Sequence, residues 1–440
     1  MNFRTSLRPP CLRFALSFSL WLPAQSLPAA DVPPQPPQSN PVGALESFSD
    51  YIAFGFEHNP ALKAAFERYR RARAAIGEAR ALPDPSISLT HFGREIETRT
   101  GPQEQRLRAT QSFPWLGTLS ARGDAAARRA EVALLAYKAE ELRYINNLAN
   151  VYFGQALLEK ERRIARENEQ LLEKLAAVVE EQVRGGAGTT ALLRLEIEQG
   201  RVKDLRRALG HRQRRLDARL RALLGGGTPA AMNFTLPRLP ASKPDIEQLR
   251  EDLLASNPEL ARFEQLREAS EADVQLARLE RYPDFTVGVD YIRTGPARTA
   301  GVPGSGDDPW SVTVGVSIPL WGSKNDSRVQ QALAARRQTG YQLRGHKLQL
   351  MAELLDAFER FNEACDRVAL YRDELLPKSE QALEIMQTRY SSGEASLLDW
   401  IDSQRTLLAF EQTYWKAVAE ANTQLVILNT LGGNKYDENN

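Results

Sequence analysis

The chain has 440 residues, of which 57 are basic and 56 acidic, for a formal charge of +1. Nothing in so even a balance recommends a nucleic acid as partner. Nowhere beyond the first 30 residues do 18 apolar residues run together, which excludes a transmembrane helix there but leaves a β-barrel open.

Residues 1–30 read as a secretory signal. Arg4, Arg8 and Arg13 precede a short apolar run, Phe14 to Leu22, and the small residues Ala24, Ser26, Ala29 and Ala30 follow it. A membrane-anchoring helix is the alternative, and the run is too short for one. Cys11 lies before the apolar run and behind two prolines, unlike a lipid-acceptor cysteine. Removing the segment leaves a formal charge of −2 and one cysteine, Cys365, in a helical setting that suits a small buried residue. No internal disulfide is then expected. A proline-rich leader spans 31–44.

The rest is one unit written twice, 45–227 and 245–433, around a linker at 228–244 and before a tail at 434–440. "NPALKAAFE" from Asn59 answers "NPELARFEQ" from Asn257, and the Pro83-Asp84 phrase answers Pro283-Asp284. "SFPWLG" answers "SIPLWG", and "LLGGG" from Leu223 answers "TLGGN" from Thr430. Each match is weak alone. Their shared order and near-constant offset mark a duplication.

In the first copy an opening helix leads to two strands within 85–113, then a long helix over 118–184 and a return helix over 189–224. Leu157, Ile164, Leu171 and Val178 recur every seven residues, a coiled-coil spacing. In the second copy the expected elements are a helix at 245–282, strands at 284–292 and 310–318, a long helix at 323–390 bent at Pro377, and a return helix at 394–431. Leu354, Phe361, Val368 and Leu375 carry the matching heptads. The long helices would each measure roughly 100 Å.

The strands of the second copy alternate strictly, with Phe285, Val287, Val289 and Tyr291 on one face and Thr286, Gly288 and Asp290 on the other. Those of the first copy are less clean, since "EQRLRATQSF" carries two arginines. Trp115, Trp310 and Trp321 fall near strand ends, where membrane barrels place aromatic girdles. A soluble sandwich with aromatic packing is the other reading. Four strands cannot close a membrane barrel, and an open edge in lipid is not viable, so several chains would share one barrel above a helical tube.

These phrases together resemble the TolC-like outer-membrane efflux proteins over essentially the whole length after the signal. The resemblance rests on the "NP-x-L" openings, the "PD" strand entries, the "IPLWG" strand exit and "Y-x-x-G-x-x-S-x-x-D" from Tyr390 to Asp399. It implies a mainly α fold with a small β contribution: a homotrimer with a 12-stranded barrel in outer-membrane lipid and a periplasmic helical tunnel. It places the protein in the outer membrane of a Gram-negative bacterium, docked to a periplasmic adaptor (membrane fusion) protein and a proton-driven inner-membrane pump. The layout looks most like members paired with heavy-metal pumps.

By the same resemblance, Gly185, Gly186, Gly188 and Thr189 form one periplasmic hairpin tip, and Ser391, Gly393 and Ser396 form the other. Both would touch the adaptor. Tyr390, Asp399 and Asp402 match the family's gate segment, where three chains would present six carboxylates around a constriction. Acids in the first turns of a helix also simply favour its positive end, and Arg184 and Arg389 suit the ends of theirs. One departure stands out. Where the family's pattern has an arginine tying the gate shut, this chain has Ala395, and its first tip carries Thr189 and Arg194 in place of acids.

No catalytic signature is present. The four histidines are scattered, and "GVPGSG" from Gly301 lacks the lysine and helix of a phosphate loop. No enzyme activity, cofactor or metal site is expected. Two other readings stay open: the exit duct of a one-step (type I) protein secretion system, and a periplasmic coiled-coil scaffold or adhesin without a pore.

Overall fold

The computed structural model describes residues 45–185, 189–227, 231–240 and 242–435. The signal at 1–30, the leader at 31–44, Gly186, Gly188 and the tail beyond Lys435 lie outside the described residues. So do parts of the linker.

The two copies open alike. Helix α1 (Phe48–His58) starts at a capping box between Ser47 and Asp50, and α2 (Pro60–Arg80) follows after one residue, Asn59. Asn59 is extended, at φ −67° and ψ 120°, as a residue before proline must be to avoid its ring. Its side chain accepts from the backbone N–H of Ala61 and Leu62, and Pro60 occupies the first helical position, where no N–H is needed. Strands β1 (Ser86–Ile96) and β2 (Gln103–Phe113) come next, then α3 (Thr118–Arg184) and α4 (Thr190–Leu223). With 67 residues, α3 is roughly 100 Å long.

In the second copy the single helix expected over 245–282 is two, α5 (Ile246–Ser256) and α6 (Pro258–Leu279). The reason is Asn257 and Pro258, which repeat the Asn59 geometry at φ −67° and ψ 118°. Strands β3 (Asp284–Thr294) and β4 (Trp310–Ser317) then lead to α7 (Gly322–Leu370). The long helix expected over 323–390 is not continuous either. A single π turn, Tyr371–Leu375, separates α7 from α8 (Leu376–Ser391). Pro377 lacks an N–H and its ring crowds the carbonyl four residues back, so the disturbance falls one turn before the proline. The return helix α9 (Leu397–Leu431) begins three residues later than expected because Ser396 caps it.

Contacts between these elements order them across a wall. The sheet runs β1-β2-β3-β4, antiparallel throughout. Next to it, α3 packs on α2 and α6, and α6 packs on α7; further away, α3 packs on α4 and α9, and α9 on α7 and α8. Thus α3 and the α7/α8 rod traverse the wall's full height while shorter helices fill in beside them. One flank is α2 and α4; the other is α7 and α8.

Among the described residues five apolar clusters hold the helices, and three of them are the largest. The first gathers Phe48, Tyr51, Tyr152, Phe153 and Leu224, with Phe234 of the linker tilted against Tyr51 and edge-on to Tyr152. The second centres on Phe361, Leu354 and Leu253. The third, at the far end, packs Leu172, Val179 and Leu195 against Leu397, Trp400 and Ile401. There the expected heptad slips: Val178 is 49% exposed while its neighbour Val179 is fully buried. An α-helix drifts about 20° per heptad, so one seam cannot stay buried over 67 residues.

Candidate functional site

The sheet separates two chemistries. By register, Leu89 pairs with Leu107, Leu107 with Tyr291 and Tyr291 with Trp310. The row nearer the helices pairs Ala109 with Val289 and Val289 with Val312. That face is apolar and exposed, from Ile87 and Leu89 to Val312, Val314 and Val316. Between Phe285 and Tyr291 it is roughly 20 Å tall. The other face carries Ser86, Ser88, Thr110, Thr286 and Thr313, and both arginines of β2 lie on it with them. Arg108 donates to the buried Asp290 across the ladder at 2.7 Å. The two charges that blurred the first copy's pattern therefore both belong to the polar face.

Aromatic side chains mark both rims of the apolar band. At the helix end Trp115 stacks on Tyr282, with ring centroids 4.9 Å apart, and on Phe285. Trp321 is exposed at this end, as are Leu116 and Leu320. At the loop end Trp310 stands opposite Tyr291. Among the described residues, strands β1 and β4 each have one edge unpaired.

The opposite end of the wall holds the ends of the two hairpins, and the described residues of the first, Gly185 and Thr189, differ from Gly393 and Ser396 of the second. Gly393 has φ +78°, a left-handed conformation that costs glycine nothing, and Glu394 N–H bonds back to the Arg389 carbonyl at 2.8 Å. Gly185 does not repeat this. Its φ is −77°, in the ordinary right-handed half of the map. Ser396 caps α9, whereas Thr189 makes no side-chain cap for α4. Ser391 turns its hydroxyl onto the Thr388 carbonyl at 2.7 Å. Tyr390 packs beside Leu383 and Met386 against the third core.

The two aspartates do different work. Asp399 is the third residue of α9, and its carboxylate accepts from the Ser396 N–H at 3.1 Å and from the Ser396 hydroxyl at 2.7 Å. Those bonds, the hydroxyl's first, hold its carboxyl below the usual range. It completes a capping box. Asp402 faces Arg405 one turn on, at 3.2 Å. Arg405 in turn crosses to α4 and grips the buried Glu198 with two nitrogens, Nε to Oε2 at 3.1 Å and Nη2 to Oε1. Arg201 donates to the same carboxylate at 3.0 Å.

This chain of charges joins the second hairpin to the first a few turns above the tips. Glu198 lies in the same "VRGGAGTTALLRLEIEQ" phrase that carries the first tip, yet nothing local marks it. Its partner is 207 residues away.

A wall of antiparallel helices under a sheet that is apolar on one face and polar on the other is the architecture of a membrane channel protein. A model of the outer membrane efflux protein family matches residues 56–226 and 249–434. The pyoverdine export outer membrane protein OpmQ of Pseudomonas putida is 25% identical over 87% of this chain and 84% of its own length. The cation efflux system protein CusC of Escherichia coli O157:H7 is 22% identical over 92% and 94%. A crystal structure of CusC superposes with a TM-score of 0.74 at 20% identity, covering 94% of this chain and 99% of that one. The chain belongs to the outer membrane efflux protein family. It is an efflux channel of the outer membrane with a large helical part in the periplasm.

Proposed function

We propose that three copies of this chain close a 12-stranded barrel and a helical tunnel, the passive exit duct of a tripartite pump. The observation that carries this reading is the sheet. Its apolar face is exposed and both edges are open, and lipid tolerates neither edge unpaired. A periplasmic adaptor meets the hairpin tips, and an inner-membrane pump, proton-driven, supplies the energy. The chain itself conducts without chemistry. Its cargo is a small molecule or a metal cation, the two classes that the names of OpmQ and CusC carry.

The tips form the gate. Ala395 offers no charge to hold them, and the Asp402–Arg405–Glu198 chain supplies a different tie, between hairpins of one chain. Asp399 and Asp402 stay exposed in the first turns of α9, where three copies bring six carboxylates around one axis. Planar-bilayer conductance of the detergent-purified protein tests this, beside a variant with Asp399→Ala and Asp402→Ala. Small cation-selective steps that the variant alters support duct and gate together. Unaltered steps remove the acids from the gate, and no steps from an assembled oligomer remove the duct.

A further inference from the structure

The two free flanks of the wall carry opposite charge at the same height. Between residues 201 and 221, α4 holds nine basic residues and two acids. On the far flank, 353–374 in α7 and the π turn holds seven acids and three bases. On the inner side α3 takes up only part of the basic excess, through Glu169 with Arg206 and Glu161 with Arg212, and no ion pair joins the acidic stretch to α9 among the described residues.

The charges are also in step. Arg207, Arg214 and Arg221 recur every seven residues on α4, and all three are exposed. Glu359, Asp366 and Asp373 recur every seven on the other flank, also exposed. Counted from the tip ends of their helices, Thr190 and Ser391, Arg207 and Asp373 lie 17 and 18 residues up. Arg214 and Asp366 lie 24 and 25 up, and Arg221 and Glu359 lie 31 and 32 up. The two helices run in opposite directions, so a pair matched at one height stays matched along both. At the rise of an α-helix these levels are about 25, 36 and 47 Å above the tips.

Within the chain three of these groups are unpaired and three have a partner at the surface, among the described residues. Arg207, Arg221 and Glu359 have no salt-bridge partner among the described residues. Arg214 touches only the ring of His211, Asp366 meets Lys243 of the linker, and Asp373 meets the adjacent Arg372.

We infer that the occupant of each flank is a second copy of this chain, and that Arg207–Asp373, Arg214–Asp366 and Arg221–Glu359 form a charge ladder sealing the seam between neighbours. The inference rests on the closed-oligomer reading above and adds the residues that set its register. An antiparallel helix pair with opposite charges at a shared seven-residue spacing selects one alignment over a slip by one turn, since a slip sets each arginine between acids. Charge complementarity of this kind fixes partner and register more than it adds affinity.

The test uses the full chain purified in detergent, with its oligomeric mass followed on heating. One variant carries Arg207→Glu, Arg214→Glu and Arg221→Glu; a second carries Glu359→Arg, Asp366→Arg and Asp373→Arg; a third combines all six. Each one-sided variant is expected to dissociate at least about tenfold more at a fixed temperature than the unaltered trimer, through like-charge contact at three levels. The six-fold variant is expected to recover most of that loss. A six-fold variant no better than the two one-sided variants summed, or one-sided variants as stable as the parent, overturns the ladder while leaving the trimer intact. An unaltered chain that is monomeric throughout overturns the closed-oligomer reading itself, and the ladder with it. Helical content measured in parallel separates loss of assembly from loss of fold.

Discussion

The Nδ2 of Asn59 donates to the carbonyl oxygen of Leu223 at 2.8 Å, across 164 residues of chain. The second copy repeats the bond from Asn257 to Leu431 at 2.9 Å. One buried side chain therefore does two things at once: its oxygen starts a helix, and its nitrogen satisfies a carbonyl at the end of another. Only asparagine supplies both an acceptor and a donor at this reach. Replacing Asn257 with alanine is expected to cost about 2–3 kcal/mol, a lost cap plus an orphaned buried carbonyl. Asn257→Asp keeps the cap but sets a carboxylate against that carbonyl, so it should be no better than alanine. Thermal unfolding of the three proteins decides this.

The glycines beside those carbonyls follow the same logic. A Cβ on Gly225, whose φ is +71°, would lie 2.3 Å from the His58 carbonyl oxygen, and one on Gly433 would lie 2.3 Å from that of Ser256. Gly226, at φ +85°, has open space around it. Gly226→Ala should therefore cost only the left-handed strain, about 1–2 kcal/mol. Gly225→Ala must also part the α1–α2 joint from the end of α4, and should cost clearly more. Equal costs would show that the joint gives way freely.

How much of this was legible from the residues depends on whether a contact is local. Asn59 and Asn257 were visible as a repeated phrase, and the proline after each already forbids a continuous helix through 257. Their second bond was not visible, because nothing adjacent in sequence names Leu223 or Leu431. Arg106 and Arg108 hid the alternation of β2 until Asp290 appeared across the ladder. The sequence puts Asp399 near a helix start, and Ser396 three residues before it completes the capping box that engages its carboxylate. Arg405 and Glu198 belong to different copies, so only the packing of α9 near α4 brings them together. The slip from Val178 to Val179 is an accumulated rotation, which no single heptad reveals.

The Arg405–Glu198 contact makes a prediction of its own. Removing Arg405 leaves Glu198 buried with Arg201 alone, and removing the Glu198 charge leaves Arg405 with Asp402 alone. Arg405→Ala and Glu198→Gln should each destabilise the tip region, with a coupling of about 1–3 kcal/mol in a double-mutant cycle. Either change should also raise the open fraction in bilayer recordings. Additive effects on stability would mean the two charges do not act as a pair.

The exposed face of the sheet should behave as a lipid face. Val314 lies on it and Thr313 on the other, one residue apart. Val314→Arg is expected to cost about 2–4 kcal/mol in membrane-inserted stability, the range for a cation near the midplane of a barrel's outer surface. Thr313→Arg points into the polar side and should insert normally. Urea extraction of the two variants from membranes compares them directly, and equal behaviour would place neither face in lipid.

Glu411 of α9 gives a pH signature. Burial pushes its carboxyl up, and the nearby charges of Glu167 and Glu380 push it further, against a smaller pull from Arg163. A carboxyl whose pKa is higher in the folded than in the unfolded state keeps a proton that the unfolded chain has lost. Stability from this group is therefore present in acid and falls as pH rises from about 4.5 through the raised value. Glu411→Gln removes the charge at every pH. The variant should match the parent below pH 4 and unfold at a higher temperature than the parent at neutral pH. A constant difference across that range would show that Glu411 keeps its ordinary titration.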